Sequence, residues 1–182
     1  MAREMVRQGG RSARIQAEVH RAVRDLMETT DRDEVTVPMI AEQAGVTPST
    51  IYRRWGDLSN LLADVAVAHM RPIAAPADTG ARETDVDAFI LQFAEEMSSH
   101  VGRQMLTDIL SSGETPAKAC GKFTYANLET LQARAVARGE DGFDVDDAVD
   151  FIVAPIIYSI LFSDRGMNAD YCSGLVARFF NR

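Results

Sequence analysis

The sequence predicts an all-α protein of two domains: a three-helix unit over residues 1–70 and a larger helical domain over residues 71–182. Three observations carry that reading. Apolar residues recur at helical spacing along the chain, and no stretch alternates apolar and polar as a half-buried strand would. Between Val35 and Trp55, two short segments each open on a threonine with a proline close behind, and Gly45 separates them. The stretch RPIAAPADTGARETD, with Pro72 and Pro76, then breaks the helical pattern from about residue 71 to 84.

Residues 1–11 are polar, contain Gly9-Gly10 and read as a mobile arm. Its Arg3, Arg7 and Arg11, with Arg14, are within reach of nucleic-acid phosphates or a minor groove, and a plain disordered tail is the alternative. Residues 12–29 place Ile15, Val19, Val23, Leu26 and Met27 on one helical face, with His20 on the exposed or half-exposed side. Thr36 is positioned to cap a helix over residues 37–44, with Pro38 in its first turn and Gly45 as its left-handed stop. Thr47 can cap a second helix that has Pro48 first and runs to Trp55. Small Ala41 and Ala44 allow close approach, and Gly45 sets a sharp angle, which is the helix-turn-helix arrangement. Asp57 can cap a third helix to about residue 70, carrying Leu58, Leu61, Leu62, Val65 and Ala66.

The polar side chains of the second short helix suit DNA. Hydroxyls and helix N-terminal N–H groups match phosphate oxygens, and arginine can hydrogen-bond the O6 and N7 of guanine. The candidates are Thr36, Thr47, Pro48, Ser49, Thr50, Tyr52, Arg53 and Arg54. An ordinary helical hairpin with solvated arginines satisfies the same capping pattern. The run TVPMIAEQAGVTPSTIYRRWGDLSNLLADVA, however, resembles the DNA-binding domain of the TetR family of bacterial transcriptional regulators. The resemblance covers roughly residues 12–70 and rests on the IA..AGV turn, the T.STIYRRW helix and the leucine pair of the next helix. Two departures stand out. The turn at residues 30–34 lacks the glycine usual in the family, and Leu58 stands near where members often place a phosphate-binding lysine.

The second domain reads as helices over residues 85–100, 102–110, 116–137, 145–163 and 169–180. The fourth is almost continuously apolar from residue 149 to 162, with a bend expected at Pro155. A helix apolar on nearly all faces must be covered on nearly all faces. Together with the last helix it offers a four-helix dimer interface, for which Ile152, Val153, Ile156, Ile157, Ile160, Leu175, Val176 and Phe179 are the candidates; the alternative is a monomer core. TetR-like regulators dimerise through their last two main helices, so the resemblance implies a homodimer reading an operator that is an inverted repeat. It also implies a small-molecule effector that releases the protein from DNA. Candidate pocket residues are Phe89, Phe93, Met97, Met105, Ile109, Phe123, Tyr125, Leu128 and Tyr158, because Met and aromatic side chains suit an adaptable apolar site. Taken residue by residue, core packing is the simpler account of each.

Composition sets the remaining bounds. The 182 residues carry a net charge of -8, yet Met1 to Arg71 hold ten arginines against ten acids, so the whole deficit lies in the second domain. Acid there would be repelled from phosphate and would orient the molecule on DNA. No apolar run reaches the length of a membrane span, and the basic N-terminus lacks the apolar core of a secretory signal, so a cytoplasmic protein is expected. Cys120 and Cys172 read as reduced, buried thiols. His20, His69 and His100 are scattered, with no metal-ligand spacing, and there is no phosphate loop or nucleophile elbow. Glu95-Glu96 and Asp146-Asp147 read as solvated acid or a helix start. Neither an enzyme nor a cofactor is expected. The sequence thus points to a ligand-responsive DNA-binding regulator, most often a repressor in this family. A helical ligand-binding or adaptor protein that no longer reads DNA is the alternative.

Overall fold

The computed structural model describes the chain apart from residues 1–4, 70–73, 112–113 and 165. The described residues are overwhelmingly helical and contain no strand. They divide into two compact units, Met1–Ala68 and His69–Arg182.

In the first unit, α1 spans Met5–Thr29, α2 Val37–Gln43, α3 Pro48–Trp55 and α4 Leu58–His69, with a 3-10 turn at Arg32–Glu34. Residues 5–11, expected as part of an arm, continue α1 through both glycines; Arg3 lies outside the described residues. Glycine inside a helix costs only about 1 kcal/mol, which an otherwise continuous helix tolerates. The amphipathic stripes meet in one core. Val19 and Val23 of α1 pack with Ile40 and Ala41 of α2, Ile51 of α3, and Leu61 and Leu62 of α4.

The turn between α2 and α3 closes as the sequence requires. Gly45 takes φ +66. Its N–H donates to the Glu42 carbonyl at 3.2 Å, while the Val46 N–H donates to the Ala41 carbonyl at 2.9 Å. That pair of bonds is a Schellman stop, and Val46 packs onto the core beyond it. Thr36 and Thr47 hold the extended cap conformation, but neither side chain makes a capping bond. Asp57 does cap α4, accepting from the Asn60 N–H at 2.8 Å.

In the second unit, α5 spans Arg82–Ser98, α6 His100–Ser111 and α7 Glu114–Ala137. A short α8, Val145–Ala148, then runs through a π-helical turn, Val149–Val153, into α9, Ala154–Phe162. The last helix, α10, spans Ala169–Phe180 and packs chiefly on α5. Where a bend is expected at Pro155, the helix carries that π turn just before the proline. Proline has no N–H for the i−4 carbonyl, and a widened turn just before it absorbs the mismatch. Between α5 and α6 the chain turns at Ser99, and a side chain on Gly102 would collide with the Glu96 carbonyl oxygen. The core joins Val86 and Ile90 of α5, Leu128 and Leu131 of α7, Ile152 and Ile156, and Cys172 and Val176 of α10.

One buried charge anchors the first segment of this unit. Asp85 is fully buried; its Oδ1 accepts from the Thr79 N–H and hydroxyl, and its Oδ2 from Arg138 at 2.9 Å. Arg134 donates to the Pro76 and Ala77 carbonyls. Burial pushes the Asp85 carboxyl up, but the Thr79 and Arg138 bonds outweigh it and hold the group below the ordinary carboxylate range. Among the described residues, no helix is long and apolar enough to cross a membrane.

Candidate nucleic-acid interface

α3 is built with one buried face and one open one. Ile51 is fully buried and Trp55 packs partly into the core. Tyr52, 49% exposed, and Arg53 face outward. At the N-terminal end three hydroxyls cluster: Thr47 Oγ1 lies 2.9 Å from Ser49 Oγ and 3.0 Å from Thr50 Oγ1. The Thr47 hydroxyl is spent on its neighbours' hydroxyls, which explains why it caps no backbone N–H. Thr36, Pro48 and Ser49 are exposed as well, and Thr50 is half-buried. Hydroxyl donors at a helix N-terminus have the chemistry to bind phosphate, and Tyr52 and Arg53 are exposed about one turn further on.

Arg54 is placed differently from its neighbour. Its guanidinium turns back to α1, donating to Ser12 Oγ at 2.7 Å, the Ser12 carbonyl at 3.1 Å and Gln16 Oε1 at 2.6 Å, and it lies 5.2 Å from the Trp55 ring centroid. Beside it, Asp64 Oδ2 accepts from Trp55 Nε1, His20 Nε2 and Gln16 Nε2. The His20 bond is the main cause that holds the Asp64 carboxyl below its ordinary range, against burial, with Trp55, the His20 charge and Gln16 adding to it.

These partners were missed from sequence, and His20 is corrected from a half-exposed residue to a buried one. A signal was present. Ser12, Gln16 and His20 recur every four residues on α1, and Asp64 is a lone acid in the apolar run LLADVAVA. Hydrogen-bonding side chains on one helical stripe facing a lone acid on another are a pairing pattern, but it is invisible until the helices are docked.

The candidates in the second unit fall into two groups. Phe89, Met97 and Leu128 belong to the buried core, with Phe93 packed against it, and Ile109 is buried. Met105 and Phe123 are half-buried. Tyr125 and Tyr158 are surface residues, and the Tyr125 hydroxyl donates to Asp146 at 2.9 Å. Of the interface candidates, Ile152, Val153, Ile156, Ile160, Leu175 and Val176 lie in the core of their own chain, with Ile157 and Phe179 packed against them. Helical spacing alone could not separate inner from outer faces in a run apolar all round. What this helical run leaves outside is Phe151, Tyr158 and Phe162, the last two 64% and 71% exposed and in ring contact at 5.4 Å.

Comparison with known proteins agrees with this geometry. Residues 21–65 match the family described as bacterial regulatory proteins, tetR family, and residues 76–179 match the tetracyclin repressor-like C-terminal domain. The chain is 26% identical over 168 residues to the uncharacterised HTH-type transcriptional regulator YdeS of Bacillus subtilis (strain 168), covering 87% of this chain and 84% of that one. Its fold resembles that of the TetR family transcription regulator SCO0332, with a TM-score of 0.71 at 23% identity over 92% of this chain and 97% of the other. Salmonella enterica GusR has the same fold, with a TM-score of 0.57 at 16% identity over 92% and 94% of the two chains. With a helix-turn-helix closed at Gly45, an outward-facing α3, and family matches spanning both units, the protein belongs to the TetR family and is a helix-turn-helix transcriptional regulator.

Proposed function

We propose that the protein is a dimeric, ligand-responsive repressor that binds an inverted-repeat operator and is released from it by a small molecule. The observation that carries the reading is the outer face of α3. Tyr52 and Arg53 project from it, with the hydroxyls of Thr47, Ser49 and Thr50 at its start. The hydroxyls and Thr36 hold phosphates, and Tyr52 and Arg53 meet base edges in the major groove. A two-fold dimer sets two such helices about 34 Å apart, one turn of DNA. The exposed Phe151, Tyr158 and Phe162 support a second copy of this chain as the partner, because large apolar side chains left in water favour burial.

The effector is a small, largely apolar molecule, met by the half-buried Phe93, Met105 and Phe123 of α5, α6 and α7. It shifts the protein only as far as it prefers a conformation in which the two α3 helices lose their spacing. The test is selection of genomic DNA fragments by the purified protein at moderate salt, followed by sequencing. An enriched inverted repeat supports the proposal and names the regulated genes. Absence of enrichment, both before and after refolding from denaturant to strip bound effector, overturns it.

A further inference from the structure

Asp64 sits in α4 where its neighbours Leu61, Leu62 and Val65 are core residues, yet it is a carboxylate. Leucine would serve packing alone. Instead three donors from two other helices converge on Oδ2: Trp55 Nε1 at 2.7 Å, His20 Nε2 at 2.9 Å and Gln16 Nε2 at 3.2 Å. The Gln16 amide is oriented by its other end, where Oε1 accepts from Arg54 Nη2 at 2.6 Å. Arg54 Nη1 is also taken, by the Ser12 hydroxyl and carbonyl. Arg54 and Trp55 are adjacent residues in the last turn of α3. The bonds therefore close a ring, from α3 to α1, from α1 to α4, and from α4 back to α3.

The ring joins a cation and an anion through a neutral amide. Bonds to an ionised carboxylate are stronger than neutral ones, and linked bonds reinforce each other. Apolar contact holds two helices together while letting them rotate and slide; directed bonds at three points fix the angle. We infer that Asp64 is a positioning residue for DNA recognition, holding α3 at a set angle to α1 and α4 through Trp55 and through the Gln16–Arg54 relay. Arg54 serves in this clamp and does not reach the bases. The inference rests on the DNA-reading function proposed above.

The experiment compares wild type with Gln16→Met, Asp64→Asn and Asp64→Ala. Three quantities are measured: affinity for the selected operator against a random duplex at equal salt, stability to urea, and the emission of Trp55, the chain's single tryptophan. Gln16→Met and Asp64→Ala are expected to keep their affinity for random duplex and to lose roughly tenfold in the operator-to-random ratio. Asp64→Asn, which keeps an acceptor oxygen and loses the charge, falls between. Trp55 emission shifts in Asp64→Ala, where the indole N–H loses its acceptor. An unchanged ratio in Gln16→Met and Asp64→Ala, against a selective wild type, overturns the inference. So does a loss of both affinities in step with the folded fraction, which is a structural role only. Should Asp64→Ala not fold, the ratio for Gln16→Met decides. A wild type with no sequence preference overturns the DNA-reading function itself, an outcome distinct from a selective wild type with equally selective variants.

Discussion

Two adjacent arginines on α3 have different surroundings, and that difference sets what each substitution will do. Arg53 is exposed, as is Tyr52. Replacing either with alanine is expected to weaken operator binding by about 1–3 kcal/mol while leaving the urea midpoint where it was. Equal binding by mutant and wild type in a gel-shift titration would take them off the interface. Asp64 makes a second residue-level prediction, through acid. Its carboxyl is held below the ordinary value, which is about 3.9 in an unfolded chain. The unfolded chain therefore takes up the proton first. The stabilisation is complete above that value and is lost as pH falls through the lower folded one. Going from about pH 5 to about pH 3, wild type should lose more stability than Asp64→Asn, as read by urea midpoints at each pH. The carboxyl is part-exposed, so solvent screening keeps the difference small.

At the scale of elements, local chemistry settled the ends of helices better than their contacts. Gly45 stops α2, Asp57 caps α4, and Asn168 caps α10 through the Tyr171 N–H. Acidic Asp146 and Asp147 fall in the first turn of α8, as their charge near a helix N-terminus favours. What residue spacing could not foresee is the clamp on the chain before α5. Asp85 lies in the first turns of α5 and reads as a plain acidic start, but folding buries it between Thr79 and Arg138. Asp85→Ala should cost about 1–3 kcal/mol, because the Thr79 N–H and hydroxyl lose their acceptor, while Arg138 keeps Glu140 and Asp78. Chemical denaturation checks this; a cost under about 0.5 kcal/mol would mean that the Thr79 groups find water as good a partner.

At the scale of the molecule, the apolar helices of the second unit divide their labour by face. Ile156 is fully buried and Phe162 is mostly exposed, so two acidic substitutions on one helix should behave differently. Tyr158→Asp with Phe162→Asp is expected to leave a folded monomer with weakened operator affinity, seen by sedimentation and gel shift. Ile156→Asp is expected to lower the thermal midpoint, because it buries a charge without a partner. A dimer undisturbed by the double change would place the interface on another surface. The charge distribution matters at the same scale. Residues 1–71 are neutral overall and the acid lies beyond them, so the proposed operator contact would rest on the first unit's arginines. Operator affinity should therefore decline steeply with added salt, and a flat response would remove those contacts.

The sequence by itself determined the helical class and the helix-turn-helix with its glycine stop. These are local properties. Turn chemistry, capping and a 3.6-residue period are written in neighbours a few positions apart. Tertiary structure decided the rest, because it depends on which face meets which. It tied Arg54 to Ser12 and Gln16 of α1, buried His20 against Asp64, and sent Ile152, Ile156 and Val176 to the core while Tyr158 and Phe162 remained outside. In a helix apolar on every side, spacing is silent about direction, and partners such as Gln16 and Asp64, 48 positions apart, meet only when their helices dock.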